Sequence, residues 1–257
     1  MTRRVAEPVS APTAPDAWEH ADVEAATDAY AARFRGPIGA WFLDVQAAHT
    51  LSLLPDVPSP LSILEVGGGH AQLTPYLIAA GHNVTVLGSA PACAARLAQW
   101  TQDGRCSFDA GNPAALPYAD GSFDVVLAFR MLAHVTDWRA FIGELCRVAR
   151  QSAIVDYPSS RSTNAFYGPL SGFKTRIEND TRPFRLLAPA AVRKAFRDHS
   201  FEPGQFRAQY LMPMVLYRAI GSRRLAAAVE VPARLLGLTR LLGSPVILRA
   251  DRHPGET

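Results

Sequence analysis

The chain has 257 residues, 48% of them hydrophobic, a length and apolar content that suit one sizeable α/β domain rather than two independent cores. Its three cysteines, Cys93, Cys106 and Cys146, stand far apart without a C-x-x-C pair, and its seven histidines are scattered, which argues against a disulfide framework, a zinc knuckle or any metal site and fits a reducing cytoplasm. Net charge is only +3 but uneven, −7 over residues 1–146 and +10 over 147–257, so the second half could face an anionic substrate, a membrane surface or nucleic acid, or be a well-solvated arginine surface.

Residues 1–15 carry Arg3 and Arg4 followed by Pro, Ala, Ser and Thr, without the apolar run of a secretory signal, and read as a disordered tail to a single domain over 16–257. Asp16 can cap a helix over 17–34, which Gly36-Pro37 ends. A second helix over 38–54 follows, with Trp41, Phe42, Val45, Leu51 and Leu54 at helical spacing, so that 16–57 form a helical cover. Pro58-Ser59-Pro60 is a stiff joint into the first strand, 61–66.

That strand delivers Glu65 to a turn almost devoid of side chains, Gly67-Gly68-Gly69-His70-Ala71, before a helix over 72–80 that Gly81 caps. Such a turn lets backbone N–H groups approach a flat or anionic ligand closely. A dinucleotide turn would need a third glycine at position 72, where Gln72 stands. The acid followed by Gly-x-Gly instead resembles motif I of class I S-adenosylmethionine (SAM) dependent methyltransferases, with Ala71 where many members have a further glycine. By that resemblance Glu65 lies near the methionine amino end of SAM, and Gly67, Gly68 and Gly69 make room for the cofactor. The N-terminal helices would cover the mouth, with Tyr30, Arg33, Phe34 and Arg35 as candidate cover residues.

A second strand over 83–87 leads to Gly88-Ser89-Ala90-Pro91 and a helix over 91–100. An acid usually ends this strand and accepts from the ribose hydroxyls. Gly88 occupies that place, which leaves the ribose to Ser89 or to backbone groups. After a short strand over 105–109, the run from Gly111 through Leu116-Pro117 to Phe123-Asp124-Val125-Val126 resembles a methyltransferase motif that ties an adenine-contacting loop to the fourth strand. On that resemblance Gly111 and Asn112 flank the adenine, and the Asn112 oxygen can accept from its amino group.

The fourth strand, 123–129, ends at Arg130-Met131-Leu132-Ala133-His134-Val135, and Thr136 or Asp137 caps a helix to 149. Ligands bind at the carboxyl ends of strands in open α/β sheets, which makes Phe129 and Arg130 candidate cofactor contacts and Arg130 and His134 candidate acceptor contacts. His134 titrates in the range needed to take a proton from the acceptor. The loop lacks the Asn/Asp-Pro-Pro-aromatic sequence that resembles adenine amino methylation, which disfavours nucleic acid as substrate. A fifth strand over 152–157 brings Asp156, Tyr157 and Ser159 to the ligand edge, and an Arg- and aromatic-rich insertion over 161–187, including Tyr167, would form a substrate-selecting lid.

A helix over 189–199, a strand over 201–209, a helical stretch over 211–242 interrupted by Gly221, Pro232 and Gly237, and a last strand over 245–249 complete the chain. The leucines and arginines of 211–242 could lie on a membrane interface or form a homodimer face; packing against the sheet is the simpler reading. The order of elements implies a Rossmann-like class I methyltransferase fold, a seven-stranded mostly parallel sheet with helices on both faces, resembling the broad ubiquinone/menaquinone-biosynthesis methyltransferase family. The resemblance implies SAM-dependent transfer to the O, C or N of a small anionic or lipophilic molecule. Alternatives are a SAM- or S-adenosylhomocysteine (SAH)-binding protein of the same fold without turnover and, less well supported, a nicotinamide oxidoreductase or an RNA methyltransferase.

Overall fold

The computed structural model describes residues 22–23, 26–57, 60–163, 185–253 and 255. The expected tail, residues 17–21 and 24–25 of the expected helix over 17–34, and Tyr167 with most of the expected lid lie outside them.

Five parallel strands form the centre and one edge of a seven-stranded sheet: β1 (Ser62–Val66), β2 (Asn83–Gly88), β3 (Cys106–Ala110), β4 (Phe123–Ala128) and β5 (Ala149–Tyr157). An antiparallel hairpin, β6 (Phe201–Tyr210) and β7 (Ser244–Arg252), joins through β7 to β5, giving the order β3-β2-β1-β4-β5-β7-β6. The order reverses direction beside β1, and the C-terminal ends of β1, β2 and β4 therefore open onto one crevice. Ile63 and Leu64 of β1, and Val125 and Val126 of β4, are all fully buried although neighbours point to opposite faces, because helices cover both sides of the sheet.

On one face lie α5 (Trp138–Val148) and α6 (Pro189–Arg197), over Leu64, Val126 and Val155. On the other lie α2 (Gly36–Leu51) and α3 (Thr74–Ala79), over Ile63, Leu127 and Ile154. Asp137 caps α5, accepting from Ala140 N at 3.1 Å. The start of α2 docks through an aromatic cluster, with Trp41 5.3 Å from the rings of both Tyr210 and Tyr217, and Tyr210 donating to Phe42 O at 2.9 Å.

Several elements depart from the sequence reading for local reasons. Thr27 is extended and its hydroxyl accepts from Tyr30 N, so the first helix is interrupted there and restarts as α1 (Asp28–Ala31), followed by a 3-10 turn over Ala32–Phe34. The segment from Pro91 is 3-10 helix to Leu97 before the short α4 (Ala98–Gln102). Over 211–242 the breaks fall at Gly221 and Gly237, both left-handed, giving α7 (Met214–Ile220), α8 (Arg223–Leu235) and α9 (Leu238–Leu242). Pro232 stays inside α8, three residues before its end.

The expectation that the leucines of this stretch pack against the sheet is corrected. The inward positions of α8 are Ala226, Glu230 and Ala233, whereas Leu235 is 83% and Leu236 74% exposed. Buried Glu230 accepts from Leu211 N at 3.0 Å, from Thr239 Oγ1 at 2.6 Å, from Arg234 Nε at 3.2 Å and from the Tyr217 hydroxyl. These bonds hold the helix with Glu230 inward.

Candidate functional site

The glycine turn is built around the Glu65 carboxylate. Gly67 adopts φ 75°, its N–H donates to Leu87 O at 2.8 Å, and a 3-10 turn over Gly68–His70 follows. A β-carbon on Gly68 would lie 2.6 Å from Glu65 Cδ; only glycine lets the carboxylate fold beneath the turn. There Glu65 Oε2 accepts from Thr74 Oγ1 at 2.7 Å, and buried Oε1 has no partner. Burial lifts this carboxyl to about 7, more than the Thr74 bond lowers it. Ala71, in the position noted as a departure, takes the left-handed conformation itself, at φ 53°.

His70 is buried in the same turn and was missed by sequence reasoning. Its Nδ1 accepts from Gln72 N at 3.2 Å, so the ring proton sits on Nε2, a buried donor without a partner. Burial and the charges of Arg130 and Arg96 push its pKa down to about 3 and keep it neutral. Gln72 Oε1 is also buried and unpartnered. Three orphaned polar atoms within eight residues are what a site built for a polar ligand shows.

At the end of β2 a side chain on residue 88 would strike Cys93 Cβ at 2.6 Å, which explains glycine there. The acid comes from the cover instead. Asp22, 2% exposed, accepts from Ser89 N at 2.7 Å, from the Ser89 hydroxyl and from Cys93 Sγ at 3.5 Å. A second tie, Arg96 to Asp28 at 2.6 Å, pins the same segment to the residues after β2. Ser89 is thus engaged by a carboxylate. The signal available in the sequence was an acid in the cover helix beside a missing one at Gly88, but only the fold pairs positions 67 residues apart.

Gly111 N donates to Gly88 O at 2.9 Å, joining the ends of β2 and β3. Asn112 is exposed and its Oδ1 accepts from Ala114 N at 2.8 Å, closing a turn and leaving one lone pair for a ligand. The rest of this loop is held from α5, where Arg147 donates to Leu116 O and Tyr118 O and Glu144 accepts from Leu116 N.

Arg130 follows β4 in a left-handed conformation, φ 62°, uncommon for a side chain of its size. Its N–H donates to Asp156 Oδ1 at 2.5 Å, and its guanidinium donates to Tyr30 OH at 3.1 Å and Gln46 Oε1 at 2.8 Å while lying 4.4 Å over the Phe34 ring. The cover residues Tyr30 and Phe34 therefore close on the expected mouth residue, with Arg33 stacked 5.2 Å from Tyr30. Burial raises the Asp156 carboxyl to about 6, partly offset by the Arg130 N–H and charge.

Not every expected residue faces this crevice. Phe129 and Tyr157 are 1% and 2% exposed, and their side chains belong to the two core clusters on opposite faces of the sheet. Only their backbones stand at the strand ends. His134 lies half-buried in the turn after β4, its N–H donating to Met131 O at 2.9 Å. The far end of the insertion returns against that turn, Arg185 N donating to Ala133 O at 3.2 Å and Arg185 Nη1 to Thr136 O at 3.3 Å. Among the described residues no group of three or more His, Cys, Asp or Glu could hold a metal ion, and no helix is long and apolar enough to cross a membrane.

Residues 64–155, from Leu64 in β1 to Val155 in β5, match the family model of a methyltransferase domain. A curated relative, ajmaline N-methyltransferase of Rauvolfia serpentina, is 40% identical over 53 residues, 21% of this chain and 18% of that protein. The chain thus matches less than a fifth of the relative's length. The fold is that of the magnesium protoporphyrin IX methyltransferase from Synechocystis PCC 6803 solved with bound SAH, at a TM-score of 0.60 over 88% of this chain and 94% of the other, with 16% identity. The [4+2]-cyclase SpnF is also similar, at a TM-score of 0.55 and 18% identity over 84% of this chain and 82% of the other.

Proposed function

From a chain that has the class I methyltransferase fold, with a methyltransferase-domain match over residues 64–155, we propose a SAM-dependent methyltransferase acting on a small-molecule acceptor. The observation that carries this reading is the set of orphaned atoms on the glycine turn. Glu65 Oε1, an acceptor, suits an ammonium; the His70 Nε2 proton, a donor near the Arg130 charge, suits a carboxylate. That pair fits the amino-acid end of SAM. Asp22, held beside Gly88, fits the ribose hydroxyls, and the spare Asn112 lone pair fits the adenine amino group.

When bound, SAM supplies an electrophilic methyl group. The chain's part is to hold an acceptor atom in line with it under the Arg130 cover and to exclude water, so positioning supplies much of the rate. His134, in the turn after β4, is the proposed base for an acceptor that is not already ionised. Titration calorimetry with SAM, SAH and NADH on the wild type and on His134→Ala tests both parts. SAM and SAH are expected to bind both proteins; NADH binding without either sulfur ligand would sink the reading, and unchanged turnover in the variant would remove His134 as base.

A second reading is a protein that binds SAM or SAH without transferring methyl, favoured by the similarity to a solved cyclase of this fold. Single-turnover product analysis with labelled SAM separates the two.

The Glu65 carboxyl gives the proposal a pH signature. Its folded value of about 7 exceeds the ordinary 4.5, so between these values the folded protein holds a proton that the unfolded chain has lost. Stability from this group therefore falls as pH rises from 4.5 and levels off above 7. A ligand ammonium favours the ionised form, so SAH binding is expected to release a proton and to tighten roughly tenfold from pH 6 to pH 8. Calorimetry in buffers of different ionisation enthalpy reads the proton directly, and pH-independent affinity would place the ammonium elsewhere.

Asp22→Ala is expected to weaken SAH by roughly tenfold, about the loss of one charge-assisted hydrogen bond, but to leave 2′,3′-dideoxyadenosine binding unchanged. Equal losses for both ligands would show that Asp22 acts only by docking the cover.

A further inference from the structure

We propose that the outer face of α8 and α9 seats the protein on an anionic lipid surface. The face is inverted with respect to an ordinary surface helix: Ala226, Glu230, Ala233 and Thr239 point inward, and the large apolar side chains point out. Leu225, Leu235, Leu236 and Leu241 are each at least 60% exposed. This is not a slip of register, because Glu230 is held by four donors and Tyr217 and Thr239 bond it from both flanks. A helix fixed with large apolar side chains outward leaves them in water, and a group of such side chains on one surface marks contact with something other than water.

Charge identifies the occupant. The arginines of α8 and α9 are Arg223, Arg224, Arg234 and Arg240; Arg223 pairs with Asp44 and Arg234 with Glu230, and Glu230, the one acid of these two helices, is buried. Arg224, Val231 and Leu235 follow one another along one stripe of α8, at spacings of seven and four residues, and all three are exposed. Arg240, on α9, lies 5.1 Å over the Phe206 ring at the other end of the patch. A second copy docked by the same face would bring arginines against arginines with no exposed acid from this stretch to answer them. Anionic headgroups answer the exposed Arg224 and Arg240. Leucines entering the headgroup boundary between flanking arginines is the arrangement of an interfacial helix.

The face adjoins the cover of the candidate site, since Arg223 at the start of α8 pairs with Asp44 of α2 at 3.0 Å, and α2 carries the Gln46 that binds Arg130. The proposal does not depend on the reaction. It rests only on the burial and charge of α8 and α9.

Sedimentation of the full chain with vesicles of phosphatidylcholine alone, or of phosphatidylcholine with a quarter phosphatidylglycerol, tests it, with SAH affinity and circular dichroism as controls for folding. The wild type is expected to sediment with the anionic vesicles only and to be released by 1 M salt, roughly a 3 Å screening length. The double variant Leu235→Glu/Leu236→Glu is expected to lose binding, and Arg224→Glu to weaken it by about fivefold or more, both with unchanged SAH affinity. Wild-type protein left in the supernatant with anionic vesicles would overturn the proposal. So would full binding by the leucine double variant, or light scattering showing a dimer that this variant dissociates.

Discussion

Gly67→Val is expected to abolish measurable SAH binding, a loss of at least roughly 100-fold, while leaving the chain folded. Two effects act together. A β-carbon at this position would stand 2.6 Å from Met131 Sδ, and valine strongly resists the φ of 75° that the turn requires. Moving the backbone out of this conformation would break the bond from Gly67 N to Leu87 O and turn the peptide groups away from the crevice. Gly81→Val separates strain from site: Gly81 is left-handed too, at φ 89°, but a β-carbon there meets nothing within 4 Å. That control is expected to lower stability by about 1–2 kcal/mol with SAH affinity intact. Normal affinity in the Gly67 variant would refute the turn as the cofactor site.

Glu230→Ala is expected to be the most destabilising single change in the C-terminal third, at about 3–5 kcal/mol. Removing the carboxylate leaves Leu211 N–H and the Tyr217 and Thr239 hydroxyls without an acceptor, in a site where Glu230 is 1% exposed. Arg234 adds little, because its side chain is 35% exposed and its ion pair is partly screened. Glu230→Gln, which keeps the shape and one acceptor, should lose less than half as much. Chemical denaturation followed by circular dichroism reads both values; a loss below about 1 kcal/mol for alanine would mean that α8 is held by its alanines and not by this network. The wild-type apolar patch on α8 depends on the same anchor, so protease sensitivity near Arg223 and Arg224 should rise in the alanine variant.

Much of the architecture was legible because it is local. Largely apolar runs such as 61–66 and 123–128, glycine at 81 and an acid at 137 each state their own strand, cap or start through side-chain chemistry within a few residues. The turn at 67–69 was legible for the same reason, since three consecutive glycines after an acid leave few other uses. The inversion of α8 was not legible. Its sequence does not say which side faces the sheet, and one buried glutamate with donors from β6's end, α7 and α9 chose the orientation.

The same distinction runs through the candidate site. The α/β class, the strand carrying Glu65, the glycine turn and the vacancy of charge at Gly88 could be read from the residues alone, since they follow from backbone conformational limits and from neighbours in the chain. It took the folded chain to bring Asp22 beside Gly88, to turn the unpartnered His70 donor inward, to close Tyr30, Phe34 and Gln46 on Arg130, and to bury Phe129 and Tyr157 in the core. Each of these depends on groups 67 to 100 residues apart, or on the direction of a side chain at a strand end or in the turn, and both are set by how the chain packs around the sheet.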